Sequence, residues 1–256
     1  MSPVTEQGIR ERLHTVRFGR QLVVEPLLPS TNDVARRLAA EGAPEGTVVV
    51  ADAQSAGRGR RGRQFFSPEG GVYLSIVLRP TPHTDPGDLT ARAAVAAARA
   101  IERCCEATVG IKWVNDLYLN GRKLCGILTE GALSPAGQPT YAVLGIGINV
   151  RGTAFPAELQ GIATSLEAEG YRVERTALIA ALLEEWEQAY TALPTHELLA
   201  ESRRRSVVLG RQITVRRGNE QFPATAVDIT DNGHLLVVTP AGEHIECASG
   251  EVSLTL

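Results

Sequence analysis

The spacing and run length of apolar residues mark most elements of this chain before any chemistry is considered. Leu22-Val23-Val24-Glu25-Pro26-Leu27 reads as a strand, and Thr47-Val48-Val49-Val50-Ala51 and Val72-Tyr73-Leu74-Ser75-Ile76-Val77-Leu78 as strands of the buried type, the last closed by Pro80 and Pro82. Thr5 to Leu13 predicts a short helix. Ser30-Thr31-Asn32 offers capping side chains ahead of Asp33-Val34-Ala35-Arg36-Arg37-Leu38-Ala39-Ala40, a helix stopped at Gly42. The alanine-rich run from Asp88 to Cys105 predicts a long helix able to lie close to a sheet. Gly110 to Trp113 leads into a hairpin, in which Asn120-Gly121 separates Leu117-Tyr118-Leu119 from Lys123 to Thr129. Tyr141 to Val150 is a further strand. One long helix is predicted from Thr176 to about Arg203, with Leu178, Ala181, Leu182, Trp186 and Tyr190 as its apolar positions.

Beyond that helix the pattern changes. Short apolar runs (213–216, 224–229, 235–238, 244–247 and 252–254) alternate with turns such as Asp231-Asn232-Gly233 and Pro240-Ala241-Gly242. This predicts a small C-terminal β-barrel. The boundary falls near Ser206, giving a main domain over 1–205 and a small one over 206–256.

Composition narrows the function classes. With 43% hydrophobic and 21% charged residues, the 256-residue chain has the composition of an ordinary globular protein. A net charge of −3 argues against a general nucleic-acid binder, and the roughly two dozen residues before the first strand are too few for a DNA-reading domain. No apolar run approaches the roughly 20 residues that cross a bilayer, and the N-terminus has no signal-peptide pattern. Cys104, Cys105, Cys125 and Cys247 lack metal spacing, so reduced thiols and a cytoplasmic location are expected. His14, His83, His196, His234 and His244 are scattered and read as structural or surface residues.

Against this mildly acidic background, residues 57–63 read Gly57-Arg58-Gly59-Arg60-Arg61-Gly62-Arg63. Arginine forks match phosphate and carboxylate oxygens, and the glycines let backbone N–H groups approach a ligand. Read alone, the segment is either a solvated basic tract or an anion site, expected to stay mobile until an anion neutralises it. Only two of the 26 basic residues are lysines, Lys112 and Lys123. The first lies near a strand end, and the hairpin folds the second back towards it. Two lysines facing an arginine-rich loop fit a dense anion between them; the alternative is that both point to solvent. Ser30, Thr31, Asn32 and Gln54 are short neutral donors and acceptors suited to a urea or amide, or simply caps. Asp116 is either an oxygen ligand for Mg²⁺ or a turn cap. Gly145-Ile146-Gly147-Ile148-Asn149 lies in a strand, not a strand-to-helix turn, so it is no dinucleotide fingerprint. Its alternating glycines are expected to let a flat ligand approach the sheet.

Taken together, Ser30-Thr31-Asn32, the run from Gln54 to Arg63, Lys112-Trp113-Val114-Asn115-Asp116, the run from Gly121 to Glu130, and Gly145 to Val150 resemble biotin protein ligases in order and spacing, over about residues 20–256. The resemblance implies an α+β fold: a mixed β-sheet with flanking helices, of the class II synthetase-like type, plus a small SH3-like β-barrel. It implies that ATP activates biotin to biotinyl-5′-AMP. The biotinyl group then passes to a lysine of a biotin carboxyl carrier domain, with Mg²⁺ accompanying ATP.

By the same resemblance, Ser30, Thr31 and Gln54 read the ureido end of biotin, and Asn32, Gly57, Arg58, Gly59, Arg60 and Gly126 also line the biotin site. Lys112 bridges the biotin carboxylate and the α-phosphate, and Lys123 sits at the carboxylate end. Lys112, Arg58 and Arg60 are the implied catalytic residues, with Arg60 retaining the adenylate. Arg58, Arg60, Arg61, Arg63, Phe65, Lys112, Asn115 and Asn149 make up the nucleotide side. The chain departs from the family pattern at Val114 (usually proline), Cys125 (usually alanine) and Phe65 (usually tryptophan), and none of these removes a charge. A monofunctional ligase without DNA or membrane partners, monomeric or homodimeric, is expected. Lipoate ligation and RNA binding through the arginine loop are the rival readings.

Overall fold

The computed structural model describes residues 3–81, 84–152, 154–218, 220–248 and 250–254. Pro82 and His83, expected to close the third strand and to be a structural or surface histidine, lie outside the described residues. Seven strands form one mixed sheet: β1 (Leu22–Leu28), β2 (Val48–Gln54), β3 (Val72–Leu78), β4 (Gly110–Lys112), β5 (Asp116–Leu119), β6 (Arg122–Leu133) and β7 (Pro139–Ile148), in the order β1-β2-β3-β7-β6-β5-β4. Only β1 and β2 run parallel; every other neighbouring pair is antiparallel.

Strand alternation sends side chains to two different cores. Val48, Val50, Leu74, Ile76, Leu144 and Ile146 face a large core shared with α3 (Pro86–Cys105) and α4 (Arg175–Thr191). Val49, Val77 and Val143 face the other way, onto Ala35 and Ala39 of α2 (Thr31–Ala40). The alanines of α3 at 93, 94 and 96–98 are fully buried, as its small side chains predict. Asp85 caps this helix by accepting from Gly87 N at 2.8 Å, and Pro86 opens it. α1 is only Glu6–Arg10, capped by Thr5.

The single helix expected over 176–203 is two. α4 ends at Thr191 and α5 spans Thr195–Arg205, with Pro194 at the N-cap of the second. Proline forces the preceding Leu193 out of the helical region, which the apolar pattern alone does not register.

After α5, β8 (Gln212–Arg217), β9 (Glu220–Ile229), β10 (Leu235–Val238), β11 (His244–Cys247) and β12 (Glu251–Leu254) form the small antiparallel C-terminal sheet, ordered β11-β10-β9-β8-β12. Its core contains Ile213, Val215, Ala226, Leu235 and Val237, but also Trp113 from the turn after β4. The Trp113 indole N–H donates to Gly233 O at 3.0 Å, and Val207 N donates to Ile111 O at 3.0 Å. The residue after Lys112 is thereby anchored in the C-terminal core. Trp113→Ala should cost about 3–5 kcal/mol of stability, the usual penalty for emptying a buried aromatic site. Denaturant unfolding measures it, and a loss under about 1 kcal/mol would show that the indole packs loosely.

Candidate active site

One cleft of about 340 Å³ opens on the α2 face of the sheet, between the main sheet and the C-terminal strands. Its neutral end is built where α2 begins. Ser30 holds the N-cap position with an extended backbone (φ −157°), yet its hydroxyl makes no cap bond. Gln54, at the end of β2, does that work: its Oε1 accepts from Thr31 N at 2.8 Å and from Thr31 Oγ1 at 3.1 Å. Ser75 Oγ lies 2.8 Å from Thr31 Oγ1 and 2.6 Å from Asn32 Oδ1. The capping reading therefore fails for the Ser30 side chain, which instead lines the cleft with Thr31, Asn32 and Gln54.

Glycines in β6 and β7 form the floor, but the groups lying on them come from the protein itself. A Cβ at Gly147 would stand 2.6 Å from the Phe65 ring, and one at Gly126 2.9 Å from it. At Gly145 it would collide with the Asn32 carboxamide. The flat group against the sheet is thus Phe65, which also meets Tyr73 edge-on at 6.4 Å between ring centroids. This corrects the expectation that these glycines clear space for a flat ligand: they clear it for Phe65 and Asn32.

The basic segment is folded rather than left as a solvated tract. Arg58 bridges to Gln64, Gly59 N donates to Arg63 O at 2.7 Å, Phe65 N donates to Gly57 O at 2.9 Å, and Arg60–Gly62 makes one 3₁₀ turn with Arg61 at φ 55°. A Cβ at Gly57 would overlap Phe65 O and Ser67 Oγ, so only glycine fits there. Carboxylates supply the counter-charges. Arg58 contacts Asp33 at 2.5 Å and Glu130 at 2.8 Å, and Arg63 contacts Glu251 of β12 at 2.5 Å, with Arg61 3.9 Å from the same carboxylate. Arg60 instead donates to Asn115 Oδ1 at 2.9 Å, and the Asn115 amide nitrogen is held by Ile127 O at 3.1 Å.

The two lysines come from β4 and β6. Lys112 Nζ donates to Tyr118 Oη at 3.2 Å and lies 5.3 Å from that ring's centroid. Burial pushes its pKa below the ordinary lysine range, with Asp116 and Glu251 opposing the shift. Lys123 Nζ pairs with Asp116 Oδ1 at 2.7 Å. That oxygen also accepts from Asn115 Nδ2 at 3.2 Å. Asp116 thus orients a lysine and an amide, and among the described residues no group of three His, Cys, Asp or Glu is placed to hold a metal ion.

The cleft brings together Ser30, Thr31, Asn32, Gln54, Arg58, Gly59, Arg60, Arg63, Phe65, Lys112, Asn115, Asp116, Lys123 and Gly126. Gly57 stands behind it, packed against Phe65 O and Ser67 Oγ, and Arg61, also outside the lining, is turned towards Glu251. Asn149 is not brought in: it is buried and its amide donates to Thr164 O at 3.0 Å, tying the end of β7 to the following loop. Residues without a sequence signal of their own also line the cleft, namely Gln64 and, from the C-terminal sheet, Thr214, Arg216, Gln221 and Glu251. Tyr118, which holds Lys112 without lining the cleft, likewise had no sequence signal of its own.

A mixed sheet bearing a lysine- and arginine-walled cleft, with a small C-terminal sheet closing one side, defines the biotin/lipoate ligase class. Residues 24–149 match the biotin/lipoate A/B protein ligase family and residues 208–255 the biotin protein ligase C-terminal domain. The chain belongs to the biotin protein ligase family. It is 40% identical over 249 residues to the bifunctional ligase/repressor BirA of Bacillus subtilis, covering 93% of this chain and 76% of that protein. It is 34% identical over 264 residues to the biotin--[acetyl-CoA-carboxylase] ligase of Mycobacterium tuberculosis, covering 98% and 95%. The biotin protein ligase of Aquifex aeolicus in complex with biotin and ATP superimposes with a TM-score of 0.80 at 28% identity, covering 92% of this chain and 99% of that one.

Proposed function

We propose that the chain is an ATP-dependent biotin–[biotin carboxyl-carrier protein] ligase working in two steps. The observation that carries this reading is that one cleft joins a neutral hydrogen-bonding cluster, two lysines and an arginine hairpin. Biotin places its ureido head on Ser30, Thr31, Asn32 and Gln54 and its carboxylate towards Lys112 and Lys123. The carboxylate attacks the α-phosphate of ATP and pyrophosphate leaves. A carrier-domain lysine amine then attacks the acyl carbon of the mixed anhydride, and AMP leaves. No protein nucleophile takes part. The chain holds two anions in attacking geometry and stabilises the charge that develops on phosphorus.

Lys112 is the group aimed at that charge. Arg60 and Arg63 stand at the phosphate side, where incoming phosphates would compete with Asn115 and Glu251 for them. Arg58, paired with Asp33 and Glu130, contributes its backbone and a fixed loop anchor. Mg²⁺ enters with the triphosphate, since Asp116 is engaged by Lys123 and Asn115. The acceptor is a biotin carboxyl carrier domain. We divide the chain at residue 206, after α5, and place the protein in the cytoplasm, where its four free thiols stay reduced. No helix among the described residues is long and apolar enough to cross a membrane.

Pyrophosphate release with biotin, set against lipoate, tests the activity: release with biotin alone is expected, and release with lipoate alone would overturn it. The pH dependence follows from Lys112. Its charged form is the useful one and its pKa is lowered, so kcat/KM for adenylation should fall, as pH rises, below the pH at which an ordinary lysine titrates. In Lys112→Arg that alkaline limb should vanish, because guanidinium stays charged. An unchanged limb would assign it to another group.

A further inference from the structure

Glu130 is a carboxylate just behind the lining of a site that must take two anions, where an unexplained negative charge is unfavourable. It lies on β6 and reaches two parts of the cleft at once. Its Oε2 accepts from Asn32 Nδ2 at 2.8 Å and its Oε1 from Arg58 Nη2 at 2.8 Å. We propose that Glu130 is a positioning residue that fixes the donor–acceptor polarity of the ureido-reading cluster.

An ionised carboxylate only accepts hydrogen bonds. Asn32 must therefore turn its NH₂ to Glu130 and its Oδ1 to Ser75, since the flipped amide would set oxygen against carboxylate. Ser75 has a single proton, and the 2.6 Å approach of its hydroxyl to Asn32 Oδ1 requires that proton there. Its oxygen can then only accept from the Thr31 hydroxyl at 2.8 Å, and that hydroxyl gives its one proton either there or to Gln54 Oε1 at 3.1 Å. Thr31 N–H fixes the oxygen of the Gln54 amide, whose NH₂ goes to Ser67 Oγ at 2.9 Å, and Ser67 donates to Phe65 O at 2.9 Å. The Asn32–Ser75 half is thus oriented by the Glu130 carboxylate and the Gln54 half by main-chain groups, with the Thr31 hydroxyl between them. Asn32 and Gln54 each keep one further N–H, and both side chains line the cleft. The site so polarised offers donors to a carbonyl oxygen and opposes a head group that carries N–H in its place.

This inference rests on the biotin reading of the same cleft. The test measures pyrophosphate release by the full chain and by Glu130→Gln, with biotin, desthiobiotin and 2-iminobiotin, in which an N–H-bearing imino group replaces the ureido oxygen. Glutamine keeps the shape but lets the Asn32 amide turn. We expect kcat/KM for biotin to fall about tenfold, chiefly through KM for biotin, with KM for ATP within about twofold. The preference for biotin over 2-iminobiotin should narrow by a similar factor, while the biotin-to-desthiobiotin ratio stays unchanged. A plain charge effect moves the first ratio the other way, because losing a carboxylate weakens attraction for the protonated imino analogue. A merely structural role lowers all three ligands equally. Either result overturns the proposal. Should Glu130→Gln fail to fold, Ser75→Ala breaks the chain at its next link and must narrow the same ratio, or the proposal fails. Failure of the biotin reading itself is distinct: the unmodified protein would then release no pyrophosphate with biotin.

Discussion

Lys112→Arg should lower biotin-dependent pyrophosphate release by about a hundredfold, although it keeps the positive charge. The magnitude is that of losing one preorganised donor to a transition-state anion. The reason is geometric. Lys112 Nζ is a point charge set by the Tyr118 hydroxyl at 3.2 Å, on a side chain largely removed from solvent. A guanidinium is longer and planar, and it cannot place one donor at the same point while keeping its other N–H groups paired. Tyr118→Phe, which frees Lys112 without removing it, should lose less, about fivefold to tenfold. Steady-state kinetics at saturating biotin and ATP separate the two. A Lys112→Arg variant within twofold of the unmodified enzyme would remove the lysine from the account.

Arg60→Gly should leave adenylation measurable but let biotinyl-5′-AMP escape, so that lysines of bystander proteins become labelled. Arg60 is the loop arginine held by an amide, not a carboxylate, so its guanidinium has the least internal competition for a phosphate. Glycine removes that donor fork and also loosens the hairpin. Labelling of a mixture of carrier domain and inert protein reads the outcome. Bystander labelling at least tenfold above that of the unmodified enzyme is expected, and Arg60→Lys should fall between. Labelling confined to the carrier domain would mean that retention lies elsewhere, with Arg63 the next candidate.

Much of the fold was legible because its strands are short continuous apolar runs and its alanine-rich helix has one feasible use. Pro194 was visible too, yet the apolar spacing on either side of it stays in phase and hides the break. In the site, residue types and spacing pointed to the neutral cluster, the hairpin and the lysines. What they could not give were the partners. Arg58 finds Glu130 across 72 positions and Arg63 finds Glu251 across 188, and nothing local distinguishes those glutamates from solvated ones. The same holds for Gly145 and Gly147. Their lack of a side chain signals close approach, but only the folded chain identifies Asn32 and Phe65 as what approaches. Asn149 carries a polar side chain at the end of a site strand, and its donor is spent on Thr164 O.

Biotin transfer is tested most directly by the complete reaction. Intact-mass measurement of a biotin carboxyl carrier domain, after incubation with the protein, ATP and biotin, should show the gain of one biotinyl group. That gain should be absent without ATP, absent when the acceptor lysine is replaced, and absent when lipoate is supplied instead. A carrier domain left unchanged in the complete mixture, or modified with lipoate in place of biotin, would contradict it.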